Sequence, residues 1–258
     1  MKNPVALIGS YTLRFLAETG RLSVFIADAL ISVVRPPYFI GLTGKQIMRI
    51  GYLSLPVVGL TAFFTGGVLA LQIFMGGNRY GAEEFVPQIV VLGITRELGP
   101  VMAGLMLAGR VAAAIAAEIG TMRVTEQIDA LQTLSTNPFN YLVAPRLLAA
   151  VISMPILVAI GDTIGVFGGY IVATEQLGFN GSVYVKNTYD FMQTGDVTSG
   201  LWKAAAFGFI IAMMGCYHGF HSKGGAQGVG AATTNAVVSS AILVLAANYL
   251  LTNLFFGT

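Results

Sequence analysis

The amino-acid sequence predicts an all-α polytopic membrane protein, and its composition leads to that fold class. The chain has 258 residues, of which 55% are hydrophobic and only 10% are charged, whereas a soluble domain carries roughly 25% charged residues. Its mean hydropathy is +0.75. A soluble protein of this composition would have too little polar surface to cover itself, so lipid must cover part of it.

Five segments are long and apolar enough to cross a bilayer, which takes ~20 mostly apolar residues. They cover residues 50–75, 86–109, 147–173, 201–217 and 236–256. Residues 5–34 are a further helical candidate, but charges are spread through this segment. We therefore expect an amphipathic helix that lies in the membrane interface. Arg35-Pro36-Pro37 should end it, because proline lacks the N–H group and disfavours helix in the residue before it.

Lysine and arginine residues are distributed unequally between the two sides of the predicted membrane. With the N-terminus inside, the inside segments hold Lys2, Arg14, Arg21, Arg35, Lys45, Arg49, Arg110, Arg123, Arg146 and Lys223. The outside segments hold Arg79 and Lys186, with Lys203 near a helix start. Since positively charged loops favour the cytoplasm, we expect a cytoplasmic N-terminus and a C-terminus on the outside, which is the periplasm if the protein is bacterial, as the resemblance described below implies.

Arg96 and Glu97 form a charged pair of neighbours near the middle of the second predicted span. Ionisable residues at that depth are costly and usually face a cavity, a partner or a substrate path. Adjacent residues on a helix point ~100° apart, so the two cannot both face one partner directly. One interpretation is structural, with Glu97 paired to Lys203 to hold helices together. The other is a cavity lined by Arg96, Glu97 and Lys203 that meets a polar head group.

The stretch 110–146 between spans two and three is polar and, by the charge rule, cytoplasmic. Residues 113–134 contain good helix formers, so the sequence predicts one helix there, with Glu118, Met122, Thr125 and Asp129 on one stripe. Asn137-Pro138 should end it. Such a helix suits insertion into a soluble partner, although a solvated connecting helix fits the pattern as well.

Several function classes lack their sequence signals. Cys216 is the single cysteine and there are two histidines, His218 and His221, so a metal site is not expected and the histidines fit a helix end near water. No P-loop, G-x-S-x-G or H-E-x-x-H motif occurs. The glycine-rich run 224–230 is expected to be a flexible cytoplasmic loop, not a dinucleotide site. The net charge of +2 is too small to indicate nucleic acid.

A long ordered series of motifs runs from about residue 45 to the C-terminus. Its central block comprises Arg96-Glu97-Leu98-Gly99-Pro100, Ala108-Gly109-Arg110 and the run from Ala117 to Gln127. Further members are Ala144-Pro145-Arg146, Ile152-Ser153-Met154-Pro155, Gly228, Ala232-Thr233-Thr234 and Leu250-Leu251-Thr252. This series strongly resembles the MlaE/YrbE-type permease family, and the length and order of the central block make the resemblance specific.

The resemblance implies a permease subunit of an ABC transporter in the bacterial inner membrane, working as a homodimer. It implies one permease domain over 1–258, with an interfacial helix and linker at 1–45 and a transmembrane domain at 46–258. A separate cytoplasmic ATPase would bind ATP and Mg, and this chain would need no cofactor of its own. The implied partners are a periplasmic MCE-domain hexamer and, often, a small STAS-domain protein. The implied cargo is phospholipid moved between the inner and outer membranes, which maintains outer-membrane lipid asymmetry; some relatives handle sterols or other lipids.

Site residues follow from the resemblance position by position. The segment from Glu118 to Asp129 matches the coupling helix that docks into the ATPase, with Glu118, Met122, Arg123, Thr125, Glu126 and Asp129 as its contacts. Arg96, Glu97, Lys203 and Gln72 match polar positions near a lipid pocket, where Leu69, Ile73 and Phe74 would contact acyl chains. Asn248 departs from the pattern, because relatives can carry Asp there. No role is carried over to residues 174–200.

Two other function classes fit parts of the sequence. A secondary transporter could use Arg96 and Glu97 as an ion relay, but such folds often show internal repeats and none is visible. An intramembrane lipid enzyme would need a nucleophile, base or metal constellation in the spans, and none is assembled in the sequence. The direction of transport does not follow from the sequence, because both directions need the same cavity.

Overall fold

The computed structural model describes residues 4–77, 81 and 83–257, and these form helices and connections without a strand. The α-helices are α1 (Pro4–Val34), α2 (Ile40–Ile50), α3 (Leu55–Gly77), α4 (Val86–Gly93), α5 (Gly99–Leu107), α6 (Ala113–Val124), α7 (Gln127–Thr133), α8 (Ala144–Glu175), α9 (Gly181–Phe191), α10 (Thr194–Phe220) and α11 (Gly225–Phe256). The all-α prediction is confirmed. Of the loop cations, Lys2 and Arg79 lie outside the described residues.

Five continuous helical segments of the described chain are long and apolar enough to cross a membrane, which confirms the predicted number of spans. They are Ile40–Gly77, Glu83–Val124, Phe139–Glu175, Thr194–Phe220 and Gly225–Phe256. Each predicted span lies inside one of them, and each observed segment is longer. The helices extend beyond the apolar runs because a polar segment can continue a helix into water, where hydropathy no longer marks it.

Helix α1 has two faces, as the sequence predicts, and ends before Arg35. Its exposed face carries Leu13, Leu16, Val24, Ile31 and Val34, while Phe25, Ala29 and Ser32 are buried. The Phe25 ring lies 5.1 Å from that of Phe139 and 5.6 Å from that of Phe220. These contacts attach α1 to the rest of the protein and leave its apolar face free for a membrane interface.

Close helix packing in the bundle depends on glycines at two parallel crossings. Along α3, Gly59 faces Ile164 of α8, Gly66 faces the Gly165 carbonyl, and Gly67 faces Val172. Residue numbers rise together along both helices, so α3 and α8 are parallel. Along α6 and α10, Gly215 faces Ile115 and Gly219 faces Ile119, again in parallel. Spans that are two apart in the sequence therefore pack together, which small residues allow in lipid.

Wider π-helical turns interrupt the second and third spans where a proline follows. In the second, Ile94–Leu98 is π-helical and Pro100 comes two residues later. In the third, Phe139–Val143 is π-helical and Pro145 follows in the same way. The residue before each proline donates its N–H to a carbonyl five positions back, from Gly99 to Ile94 and from Ala144 to Phe139. Since proline offers no N–H and its ring clashes with the carbonyl at i−4, the turn before it widens.

Two sequence predictions on the polar side of the bundle are wrong. Residues 113–134 do not form one helix: α6 ends at Val124, Glu126 has a left-handed φ of 59°, and α7 begins at Gln127. The predicted stripe therefore does not exist, because α6 continues the second span and the chain turns before Asp129. The run 224–230 is not a loop, because α11 begins at Gly225. The loop was predicted from the glycine content of this run, but a helix that is stabilised by tertiary packing tolerates glycine.

Replacing Gly66 with Ala should destabilise the protein by about 1–3 kcal/mol, because a new methyl group would strike the Gly165 carbonyl. Gly76→Ala on the same helix is the matched control, since a methyl there meets nothing within 4 Å. We expect a lower thermal unfolding midpoint in detergent for the first variant and an equal or higher midpoint for the second. Equal midpoints for both variants would show that the α3–α8 crossing is not tight.

Candidate functional site

A network of charged and polar side chains joins the second, fourth and fifth spans inside the bundle. The Lys203 side chain on α10 is fully buried. Its ammonium donates to the Arg96 carbonyl at 2.8 Å, to Glu97 Oε1 at 2.8 Å and to Thr252 Oγ1 at 2.7 Å. An ammonium has three protons, so these bonds use all of them. The predicted Glu97–Lys203 pair is confirmed.

The free carbonyl that Lys203 binds is a consequence of Pro100. In a regular helix the N–H of residue 100 would bond to the carbonyl of Arg96, but proline has none. Lys203 supplies the missing donor from another helix. Sequence reasoning identified Lys203 and the motif with Pro100 separately, and the structure shows that the two are physically connected.

Glu97 receives donors on both carboxylate oxygens. Asn248 Nδ2 donates to Oε2 at 2.8 Å, while Thr252 Oγ1 lies 2.9 Å from Oε1 and 2.8 Å from the Asn248 carbonyl. Thr252 has one hydroxyl proton, so it can donate to only one of these acceptors at a time. An Asp at position 248 would instead face Glu97 with a like charge. The side chain present here, an amide, is therefore suited to this network.

Arg96 turns to a different partner from Glu97, in keeping with the angle between adjacent helical residues. Its Nε donates to Asp196 Oδ1 at 2.6 Å, and its guanidinium carbon lies 4.3 Å from the centre of the Phe256 ring. Asp196 is buried and also accepts the Gln193 N–H at 3.0 Å, which caps the start of α10. Asp196, Thr252 and Phe256 were not among the site residues predicted from the sequence, although Thr252 belongs to the matched motif Leu250-Leu251-Thr252. Asp196 lies seven residues before Lys203, which places both on one face of α10.

An open groove of about 360 Å³ lies beside this network, between α3 and the π-helical turn. Its lining is Phe64, Thr65, Val68, Leu69, Gln72 and Leu98. Leu98 directly follows Glu97, whose side chain is 37% exposed, and the Arg96 side chain is 33% exposed. Arg96 and Glu97 are not among the lining residues, because their side chains turn toward Asp196 and Lys203 on α10. The groove is mostly apolar and can hold an apolar chain, with the two partly exposed charges on another side of the same π-helical turn.

Two of the predicted contacts, Leu69 and Gln72, line the groove. Leu69, Ile73 and Phe74 all pack against a second cluster around the buried residues Ala70, Val86 and Val90. The Phe74 ring lies 5.9 Å from that of Phe179. Tyr184 of α9 completes this cluster, and burial raises the pKa of its hydroxyl to about 12. Roles for Ile73 and Phe74 as acyl contacts stay predictions.

The segment after α6 is largely exposed and contains three of the six predicted coupling residues, Thr125, Glu126 and Asp129. Arg123, near the end of α6, bonds through Nη1 to Asp129 Oδ1 at 2.7 Å across the turn. Met122 instead packs against the core. Glu118 is exposed but pairs within the chain, 3.0 Å from Arg146 and 3.4 Å from Arg49. We call residues 123–134 the coupling tip; it contains the reverse turn and α7.

Asp162 in the third span is an acidic residue that sequence reasoning missed. It is buried, its Oδ1 has no hydrogen-bond partner, and it forms no ion pair among the described residues. A side chain at Gly99 would occupy the place of Oδ1, so the glycine makes room for the carboxyl group. The signal was present, since Asp162 is the one charged residue inside the predicted span 147–173.

Within the described chain, no three His, Cys, Asp or Glu side chains come together as a metal site. His221 follows the last residue of α10 and is exposed, as expected for a helix end. His218 lies one turn earlier, with Nε2 3.0 Å from Ser239 Oγ. Both histidines are thus placed by the end of α10.

Five membrane-length helices, with a charged network inside the bundle and an exposed tip at one end, define a multi-pass membrane protein. The comparison with protein families gives the particular class. The model of the family described as Permease MlaE matches residues 43–254. The chain belongs to this family.

Curated relatives agree with the family. A probable ABC transporter permease protein of Rickettsia bellii is 56% identical over 96% of each chain. The intermembrane phospholipid transport system permease protein MlaE of Haemophilus influenzae is 32% identical over 99% of this chain and 98% of its own. The chloroplastic protein TRIGALACTOSYLDIACYLGLYCEROL 1 of Arabidopsis thaliana is 34% identical over 83% of this chain and 61% of its own. The protein is therefore a lipid transport permease of the ABC type, a multi-pass inner-membrane protein with a lipid substrate and an ATPase partner.

Replacing Lys203 with Met should cost about 3–5 kcal/mol of stability, because Glu97 and the Arg96 carbonyl would lose a buried charged partner. Adding Glu97→Gln should recover part of that loss, since the second change removes the unpaired charge. Thermal unfolding in detergent measures both variants. Lys186→Met, at an exposed position on α9, is the control and should leave the midpoint unchanged. If the single and double variants unfold at the same temperature, the pair is not coupled.

Proposed function

We propose that this permease moves phospholipid between the inner membrane and a periplasmic MCE-domain hexamer, toward or from the outer membrane, and so maintains outer-membrane lipid asymmetry. The observation that carries the proposal is the apolar groove on α3, together with the partly exposed Arg96 and Glu97 on the π-helical turn that contributes Leu98 to the groove. The guanidinium would attract a lipid phosphate, and Phe64, Val68 and Leu69 would contact acyl chains. The name of the H. influenzae relative, a phospholipid transport permease, supports the same cargo.

Two copies of the chain would form the transport unit. The α3 face around the groove is exposed and apolar, with Leu60 at 62% and Phe64 at 60% exposed. A second copy packed near this face would convert the open groove into an enclosed space between subunits. Apolar exposure of this extent needs lipid or another protein chain to cover it.

The cytoplasmic end would be the end that carries the coupling tip. Arg49, Arg123 and Arg146 lie there, and Arg49 and Arg146 both contact Glu118 of α6. Cationic segments favour the cytoplasm, which supports a cytoplasmic N-terminus and a periplasmic C-terminus. The ATPase would bind ATP and Mg at that end, and a STAS-domain protein would join it there.

The coupling tip would transmit the motion of the ATPase to the lipid groove. Glu83–Val124 is one continuous helical segment that contains Arg96 and Glu97 and leads directly into the tip. A displacement of the tip would therefore act on the helix that forms one side of the groove. The π-helical turns at Ile94–Leu98 and Ala108–Ala112 are positions where this helix can bend.

Another lipid, such as a sterol, is the alternative cargo, because the groove is mostly apolar and is not shaped for one head group. Membership of an ABC permease family argues against the secondary transporter and the lipid enzyme. Lipid analysis of the purified complex by mass spectrometry separates phospholipid from sterol directly.

Replacing Arg96 with Gln should reduce the phospholipid that co-purifies with the complex several-fold, because the π-helical turn next to the groove would lose its partly exposed cation. The single change leaves Asp196 buried without its partner, so the double variant Arg96→Gln/Asp196→Asn is measured beside it. The double variant has no unpaired acid and should show the same loss of lipid with a smaller loss of stability. Lys186→Gln is the control. Wild-type lipid recovery in the double variant would contradict a head-group role for Arg96.

Replacing Glu126 with Lys should strongly reduce co-purification of the ATPase subunit while the chain still inserts into the membrane. Glu126 is exposed at the turn of the coupling tip and has no ion-pair partner among the described residues. Glu126→Gln is the matched control, because all three side chains meet the same backbone strain at φ 59°. We expect Gln to retain more ATPase than Lys. Full ATPase recovery with Lys would count against docking at this turn.

A further inference from the structure

A cavity of about 680 Å³ lies between α1, the coupling tip and the end of α10, away from the lipid groove. Arg21 from α1, Arg123 from the coupling tip, and His221 and Lys223 from the connection after α10 contribute to its lining. Asp28 is the one acidic residue among the lining side chains. Three separate parts of the chain thus bring permanent cations to one place, away from the proposed cargo groove.

The cations of this cavity are available to a ligand. Arg21 pairs with Glu18 at 2.8 Å and Arg123 with Asp129 at 2.7 Å, and all four side chains are well exposed, from 39% to 60%. Exposed pairs of this kind are weak and exchange readily with another anion. Lys223 forms no ion pair with any described residue. His221 donates from Nδ1 to the Tyr217 carbonyl at 2.8 Å, which directs its other nitrogen away from that bond.

The same cavity has an apolar side that continues onto the membrane-facing surface of α1. Val24 lines it and is 63% exposed, and it belongs to the exposed stripe with Leu13, Leu16 and Ile31. Phe25, Phe139 and Phe220, whose rings are in contact, form the inner wall. A cavity with cations inside and an apolar edge toward the interface matches an amphiphile with an anionic head, whereas a soluble anion would gain nothing from the edge.

We propose that this cavity binds the phosphate head group of an anionic phospholipid from the adjoining leaflet, with its acyl chains along Val24 and the exposed face of α1. Basic clusters beside membrane helices attract anionic head groups, and phosphate forms charge-assisted bonds with arginine. This lipid is distinct from the cargo, because the cavity and the groove share no lining residue. It would compete with Asp129 for Arg123, and so connect membrane composition to the coupling tip.

The purified full-length chain in neutral detergent is titrated with dioctanoyl phosphatidylglycerol, and bound lipid is counted by native mass spectrometry. Each neutralised cation should weaken binding about fivefold, so Arg21→Gln/Lys223→Gln should bind phosphatidylglycerol about 25-fold more weakly than wild type. Lys45→Gln, an exposed cation outside the cavity, should bind as wild type does. Dioctanoyl phosphatidylcholine, which has no net charge, should bind weakly to all three.

Several results would overturn the proposal. Equal phosphatidylglycerol affinity in the double variant and in Lys45→Gln would show that the cavity is not the site. Displacement of the lipid by millimolar inorganic phosphate would indicate a site for a free anion. Exclusion of phosphatidylglycerol by the bound ATPase subunit would indicate a protein-docking surface. Titration of the Arg96→Gln/Asp196→Asn variant separates the two lipid sites. A lipid in the cavity should still bind after the loss of Arg96. The cargo proposal can therefore fail while the cavity proposal holds.

Discussion

A buried ammonium group is tolerated in a membrane protein only when its protons are all bonded, and Lys203 meets that condition with partners on two other spans. Its bond to the Arg96 carbonyl exists because Pro100 leaves that carbonyl without a helical donor. The proline, the π-helical turn and the lysine therefore form one structural unit. Glu97, held by this unit, then positions Asn248 and Thr252 of the last span.

The placement of the groove follows from the same unit. Because the second span is wider at Ile94–Leu98, Leu98 faces α3, and Arg96 and Glu97 turn toward α10 with part of their surface left exposed. The close glycine crossing of α3 and α8 sets the other side of the groove. The charges are bonded to the protein and still reach its surface, an arrangement that would hold a head group without requiring an unpaired charge in lipid.

The second span also connects the charged network to the coupling tip. One continuous helical segment contains the charged network near its middle and leads into the coupling tip. The tip itself is short and exposed, held by the Arg123–Asp129 pair, which is weak enough to rearrange when a partner binds. A basic cavity beside this tip would give the membrane, as well as the ATPase, a route to influence it.

The sequence by itself determined the class of fold, the five spans, the ends of α1 and the central charged pair, because these depend on local composition, on proline and on the cost of charge in lipid. It offered a Glu97–Lys203 pair as one of two interpretations, and the structure contains that pair. Tertiary structure decided what local patterns do not encode: that Asp196 pairs with Arg96, that Ile73 and Phe74 do not line the groove with Leu69 and Gln72, and that Asp162 fits against Gly99. The tertiary structure also differs from the predicted helix 113–134, which is interrupted at Glu126, and the glycine-rich run 224–230 is helical from Gly225. Helix ends depend on packing and backbone geometry across the bundle as well as on local propensity.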